Sequence, residues 1–146
     1  MLYLDTNVIV PLVVPELTSK AIRSWFEGVA DRPLTTSAWT LTECASAMGI
    51  KVRERRLSPT EAEAALRLVE EIAERSLTVV VPSHADFALA GRYLRRYALG
   101  LRAGDALHVA VAANAGAETV YSLDRRMIAA CQKLKLRAQS PLQPGT

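Results

Sequence analysis

Apolar positions along this chain alternate between short unbroken runs and stretches with helical spacing. Met1 to Leu4 is a short apolar run that halts at Asp5-Thr6-Asn7, and Val8 to Val14 begins a second apolar segment. A run that breaks so abruptly reads as a buried central strand of an open α/β sheet. Thr18 to Val29 carries Ala21, Ile22, Trp25 and Phe26 at helical spacing, and Asp31-Arg32-Pro33 makes a turn into a second strand, Leu34 to Ala38. Thr40 to Arg56 reads as a helix with the stripe Leu41, Cys44, Ala45, Met48 and Val52. Ser58-Pro59-Thr60-Glu61 has the residues of a capped helix start, and that helix runs to about Arg75 with Ala62, Leu66, Val69, Ile72 and Ala73 inward. Leu77 to Val81, stopped by Pro82, is a β-branched strand. A helix bearing Phe87, Leu89, Ala90 and Leu94 follows from Ser83 to Tyr97. From Ala106 to Ala113 the chain is apolar nearly all round, which predicts a buried helix. Thr119 to Leu123 is another strand, Arg125 to Leu134 a helix, and Leu136 to Ala138 a short edge strand.

Strands alternating with helices predict one α/β domain over residues 1–140, a mainly parallel central sheet flanked by helices on both sides. The tail 141–146 is expected to be disordered. Half of the 146 residues are hydrophobic, enough for a packed core. No apolar run reaches membrane-spanning length, and a strand starting at residue 2 leaves no secretory leader to expect. Cys44 and Cys131 form no C-x-x-C pair and read as small buried hydrophobes of a cytoplasmic protein.

Charge adds one hint. The net charge is +3, and arginine supplies most of the positive side chains, a composition that permits an anionic partner. Aspartate is scarce, with only five in the chain. Three of them fall at equivalent places: Asp5 after the first strand, Asp105 at the start of the buried helix, and Asp124 after a late strand. Each alone also reads as a helix cap, and for Asp5 the local stretch favours that reading. Together they would crowd one rim of the sheet, where open α/β sheets bind ligands. Two carboxylates about 4 Å apart repel by about 4 kcal/mol at an effective dielectric near 20, so the cluster calls for a cation or a shared proton. Carboxylates with hydroxyl and amide neighbours point to a hard ion, Mg²⁺ or Mn²⁺. His108 reads as core or as a hydrogen-bonded neighbour of such a site rather than a ligand, and Glu43, off the apolar stripe, as a solvated helical residue.

These residues carry a resemblance. Leu-Asp-Thr-Asn at 4–7, Thr-Glu-Cys-Ala at 42–45, Leu-Arg-Ala-Gly-Asp-Ala-Leu-His at 101–108 and Ser-Leu-Asp at 122–124 resemble, in order and spacing, the four motifs of PIN-domain ribonucleases. The small size is similar to the VapC-type toxins of toxin–antitoxin pairs. The resemblance reverses the reading of Glu43. It implies a Mg²⁺- or Mn²⁺-dependent endoribonuclease in which Asp5, Glu43, Asp105 and Asp124 surround the metal. Asp5 and Asp105 would ligate directly, and Glu43 and Asp124 would act through water or on a second ion. Thr6, Asn7 and Ser122 would orient ligands or water; Ser122 stands where the family often has Thr, and the hydroxyl is kept. It further implies an RNA substrate, a cognate antitoxin and a homodimer, for which Val8 to Val14 and the Trp25/Phe26 helix offer apolar surface. From charge alone, Arg53, Arg56, Arg95, Arg96 and Arg102 are the candidates for phosphate contact.

Two other acid-rimmed folds fit less well. An aspartyl-nucleophile phosphatase wants a second Asp where Asn7 stands, and a receiver domain wants adjacent early acids and a late Lys, whereas Lys133 and Lys135 lie in the terminal helix. A PIN-like RNA- or protein-binding module without catalysis, and a housekeeping RNA-processing nuclease, are the remaining alternatives.

Overall fold

In a computed structural model of the chain, residues 1–142 are described, so the expectation for the tail lies, over 143–146, outside the described residues. Five parallel strands form one sheet: β1 (Leu2–Leu4), β2 (Leu34–Ser37), β3 (Thr78–Val80), β4 (Thr119–Tyr121) and β5 (Ala138–Gln139). Their order is β3-β2-β1-β4-β5. The order reverses between β1 and β4, and at such a reversal the loops leaving the two strands part and open a crevice. Leu2 pairs with Leu34 on one side of β1 and with Thr119 on the other, so the first strand is the centre of the sheet.

Side-chain alternation along β1 feeds two cores. Leu2 and Leu4 pack on one face under α1 (Thr6–Val13), α2 (Ser19–Gly28), α3 (Ala38–Arg53) and α4 (Pro59–Ser76). Tyr3 and Val120 pack on the other face under α5 (His84–Arg95), α6 (Ala103–Asn114) and α7 (Arg125–Lys133). The expected two-sided α/β architecture is therefore present. Trp25, partly buried, packs on Tyr121 with ring centroids 4.6 Å apart. Cys44 and Cys131 are free and buried, and burial pushes both thiols up to about 12. Among the described residues, no helix is long and apolar enough to cross a membrane.

Several elements differ in detail from expectation. Val8 to Val14 is mostly the helix α1, with Pro11 inside it, and Val8, Ile9, Val10 and Pro11 are buried. α3 starts at Ala38, straight off β2, because Ser37 is already extended as its N-cap residue. On α5, Ala90 is buried and Leu89 and Leu94 pack against the core as expected, whereas Phe87 is 58% exposed. Asp86 is buried in its place and accepts a 2.7 Å hydrogen bond from the Asn114 amide of α6. α5 also ends earlier than expected; a 3-10 turn at Tyr97–Leu99 follows, closed by Gly100 at φ 65°.

Candidate metal centre

The three aspartates at helix starts behave differently. Asp5 holds the N-cap position of α1 in extended backbone, yet its carboxylate makes no cap hydrogen bond. It turns instead toward β4, where the Ser122 hydroxyl donates to Oδ2 at 2.7 Å. Asp105 lies in the first turn of α6 and faces the crevice. Asp124 does cap: its Oδ1 accepts from the Arg126 N–H at 2.8 Å at the head of α7.

Ser122 is a fully used hub. Its oxygen gives its proton to Asp5 and accepts from the Asn7 amide at 3.0 Å and the Asp124 N–H at 3.0 Å. A hydroxyl has one donor and two acceptor sites, so none is spare. Asn7 Oδ1 in turn accepts from the Leu123 N–H at 2.8 Å, which ties the first turn of α1 to the loop after β4.

Glu43 reaches the same rim from the first half of α3. Its Oε2 accepts from the Thr6 hydroxyl and from His108 Nε2, the latter at 2.6 Å. His108 is fully buried, lies 3.5 Å from Asp5 Oδ1 through Nε2, and is hydrogen-bonded through Nδ1 to the Tyr3 hydroxyl at 2.8 Å. Asp5, Glu43 and His108 each offer a ligand atom, all within 4.8 Å of one another. Asp5, Glu43 and Asp105 line an open cleft of about 480 Å³ whose apolar lining is Val10, Ala47, Ile50 and Leu123, with His108 buried behind Asp5 and Glu43.

Electrostatics separate these groups. Burial pushes the Asp5 carboxyl above its usual range and the Glu43 charge adds to the rise, although His108 and Ser122 oppose it. Burial raises Asp105 as well, helped by the nearby Asp124 charge. Glu43 is partly desolvated, but the His108 hydrogen bond and charge and the Thr6 hydroxyl outweigh that and hold it low. Burial disfavours the His108 cation, yet Glu43 and Asp5 together raise it above its ordinary value. His108 thus sits between two carboxylates that favour its charged form, while burial works against the charge on Asp5 and Asp105. An oxygen-rich, anion-crowded pocket of this kind fits a divalent cation.

The structure thus brings Asp5, Glu43 and Asp105 to one cleft, with Thr6, Asn7 and Ser122 bonded around them. Asp124 stands beside them, reaching Asp105 by charge while it caps α7. Arg53, Arg56, Arg95, Arg96 and Arg102 are all exposed, and none lines this cleft. Lys51 does line it, donating to Glu16 at 2.8 Å at the end of the cleft away from the acids. Lys51 does not emerge from the sequence reading. His108, three residues after Asp105 on one helix, is expected as core or as a hydrogen-bonded neighbour of the site, and it is both buried and bonded to Glu43.

The sequence profile of the PIN domain matches residues 2–133. The chain belongs to the PIN-domain family. No curated protein matches it by sequence. FitAcB from Neisseria gonorrhoeae superposes with a TM-score of 0.71 at 18% identity, covering 99% of this chain and 100% of that one. VapC20 from Mycobacterium tuberculosis, described as a sarcin–ricin loop cleaving toxin, gives 0.68 at 20%, covering 89% and 95%. VapBC2 from Rickettsia felis, solved with a fragment of promoter DNA, gives 0.69 at 17%, covering 96% and 98%. At such identities these likenesses speak to the fold of this PIN domain, and its chemistry rests on its own residues.

Proposed function

We propose that this PIN domain, residues 1–140, is a Mg²⁺- or Mn²⁺-dependent endoribonuclease and the toxin of a toxin–antitoxin pair. The observation that carries the reading is the convergence of the Asp5 and Glu43 carboxylates, backed by His108, beside Asp105 in one open cleft. Asp5 and Asp105 would hold the ion directly, with Glu43 and Asp124 completing its surroundings. When bound, a divalent ion would polarise the phosphate and lower the pKa of an attacking water. The chain's own residues do the rest. Ser122 fixes which Asp5 oxygen faces the cleft, and Asn7 holds Ser122. Thr6 and His108 hold one oxygen of Glu43, and His108 keeps its proton on Nε2 toward that oxygen. Val10, Ala47, Ile50 and Leu123 give the cleft an apolar surface that keeps water from the flank of a bound nucleotide.

The toxin assignment rests on the resemblance of the motifs and on the neighbours, one of them described as a sarcin–ricin loop cleaving toxin and others VapBC and FitAB assemblies. By the same reasoning the chain takes a cognate antitoxin, forms a homodimer and works in the cytoplasm. One observation favours a second reading, a non-catalytic binding module: His108 already compensates part of the charge on Asp5 and Glu43 without an ion.

The deciding experiment is cleavage of mixed RNA by the purified chain with Mg²⁺ or Mn²⁺, with EDTA and Asp5→Asn as controls. Cleavage lost in both controls supports the metal nuclease. Equal inactivity of wild type and variant across metals and RNAs, with equal RNA binding, rules it out and leaves the binding module.

A further inference from the structure

Gly104 stands in the first turn of α6, immediately before Asp105, and its backbone is not in the left-handed region. Nothing in its conformation calls for glycine, and in a helix glycine is less favourable than alanine. Space calls for it instead. A Cβ at Gly104 would lie 2.7 Å from Glu43 Oε1 and 3.3 Å from Trp39 Nε1. The first distance is far inside van der Waals contact, so Glu43 would have to move.

Glu43 has little freedom to do so. Its other oxygen is bonded to Thr6 and to His108 Nε2. The imidazole is itself held from behind by the Tyr3 hydroxyl, and Tyr3 and His108 are both fully buried. The buried Trp39 indole N–H borders the same gap; it falls short of full hydrogen-bond geometry but lies near enough to Glu43 to help hold its carboxyl low. The carboxylate is therefore bounded on both oxygens: pinned at Oε2 and fitted into an empty space at Oε1.

The geometry points to Gly104 and the Tyr3–His108 pair as positioning residues that clamp Glu43 in its ion-facing orientation. Gly104 acts by leaving room, and Tyr3–His108 by pinning one oxygen from inside the core. This clamp rests on the metal reading proposed above.

The test is Mn²⁺ binding to the purified full chain without RNA, followed by electron paramagnetic resonance, beside thermal unfolding. Gly104→Ala weakens Mn²⁺ binding about tenfold, the scale of losing a group that orients a metal ligand, while the unfolding temperature holds or rises. In a Glu43→Asp background the carboxylate is one methylene shorter and clears the added methyl, so the same Gly104→Ala step costs less than about twofold. A merely structural role for Gly104 would not produce that coupling. Tyr3→Phe, which keeps the ring in place, weakens Mn²⁺ binding in the same direction, and it carries the test alone if Gly104→Ala does not fold. Wild-type affinity in Gly104→Ala, equal cost in both backgrounds, or unchanged affinity in Tyr3→Phe overturns the clamp and leaves the metal reading standing. A wild-type chain that binds no Mn²⁺ overturns both.

Discussion

Asp5 and Asp86 are both buried aspartates at the head of a helix, 4% and 5% exposed, and their carboxyls are displaced in opposite directions. Burial raises each. For Asp5 burial wins, because its one side-chain hydrogen bond from Ser122 and the field of His108 are set against the neighbouring Glu43 charge. For Asp86 burial loses, because the carboxylate accepts from the Ser83 N–H at 2.7 Å, the Ser83 hydroxyl at 2.9 Å and the Asn114 amide at 2.7 Å. Low solvent exposure alone does not separate a structural acid from a functional one. Asp5 is enclosed deep in the fold, so burial weighs heavily on it, whereas Asp86 is covered close to the surface and is well supplied with hydrogen-bond donors. Asp86, with three donors, joins α5 to α6, whereas Asp5 is left with fewer partners at the mouth of a cleft, where a cation can add to them.

Replacing each acid breaks this comparison most sharply. Asp5→Asn should take RNA cleavage down to background, the largest effect expected in the molecule. It should leave the unfolding midpoint unchanged or raise it, since it removes a charge that folding disfavours. Cleavage and urea unfolding of one preparation give both readings, and a large loss of stability would make Asp5 a structural acid like Asp86. Asp86→Ala should do the reverse. It should cost about 3 kcal/mol of stability, because it deletes charge-assisted hydrogen bonds and strands the Asn114 amide. Cleavage per folded molecule should stay at the wild-type level.

The pH dependence of stability sharpens the same contrast. The depressed Asp86 carboxyl contributes stability above the ordinary carboxylate range, and that contribution is lost as pH falls through its lowered folded value. The raised Asp5 carboxyl works in the opposite sense. It costs stability once pH exceeds the ordinary range, the cost is complete above its raised folded value, and it shrinks away as pH falls from there to the ordinary range. Subtracting wild-type urea midpoints from those of each asparagine variant across the acid range isolates the two groups. Asp86→Asn should lose its deficit as pH falls, and Asp5→Asn should lose its advantage. Matching slopes in the two variants would mean that the partners do not decide the direction.

Much of the fold is legible from local pattern, because strands of three or four buried residues and amphipathic helices each carry their own period. The first strand, the capping box at Ser58 and the all-apolar α6 are examples. Asp5 and Asp105 are legible from their placement at element ends along one rim, and Glu43 only because its motif resembles a family's, since periodicity alone makes it a solvated residue. What the pattern does not carry is contact between distant segments. Tyr3 meets His108 across 105 positions, and Gly104 meets Glu43 across two helices. Phe87 follows the same rule. Its apolar character argues inward, yet it is exposed, while its neighbour Asp86 is the residue that meets another helix, through Asn114.

A final contrast lies between two capping boxes of the same design. Ser58 with Glu61 opens α4, and Ser83 with Asp86 opens α5; in each the hydroxyl accepts from the third residue's N–H and the acid accepts in return. The Ser58 box is exposed and ends there, whereas Asp86 also reaches Asn114. Ser58→Ala should therefore cost about 1 kcal/mol, the ordinary value of one cap, and well under the cost of Asp86→Ala. Urea unfolding at low and high salt checks the difference. The exposed box has its charge in water and should weaken as salt rises, while the buried acid keeps most of its contribution. Equal salt sensitivity in the two boxes would mean that the Asn114 link adds nothing, and that Asp86 is a cap like any other.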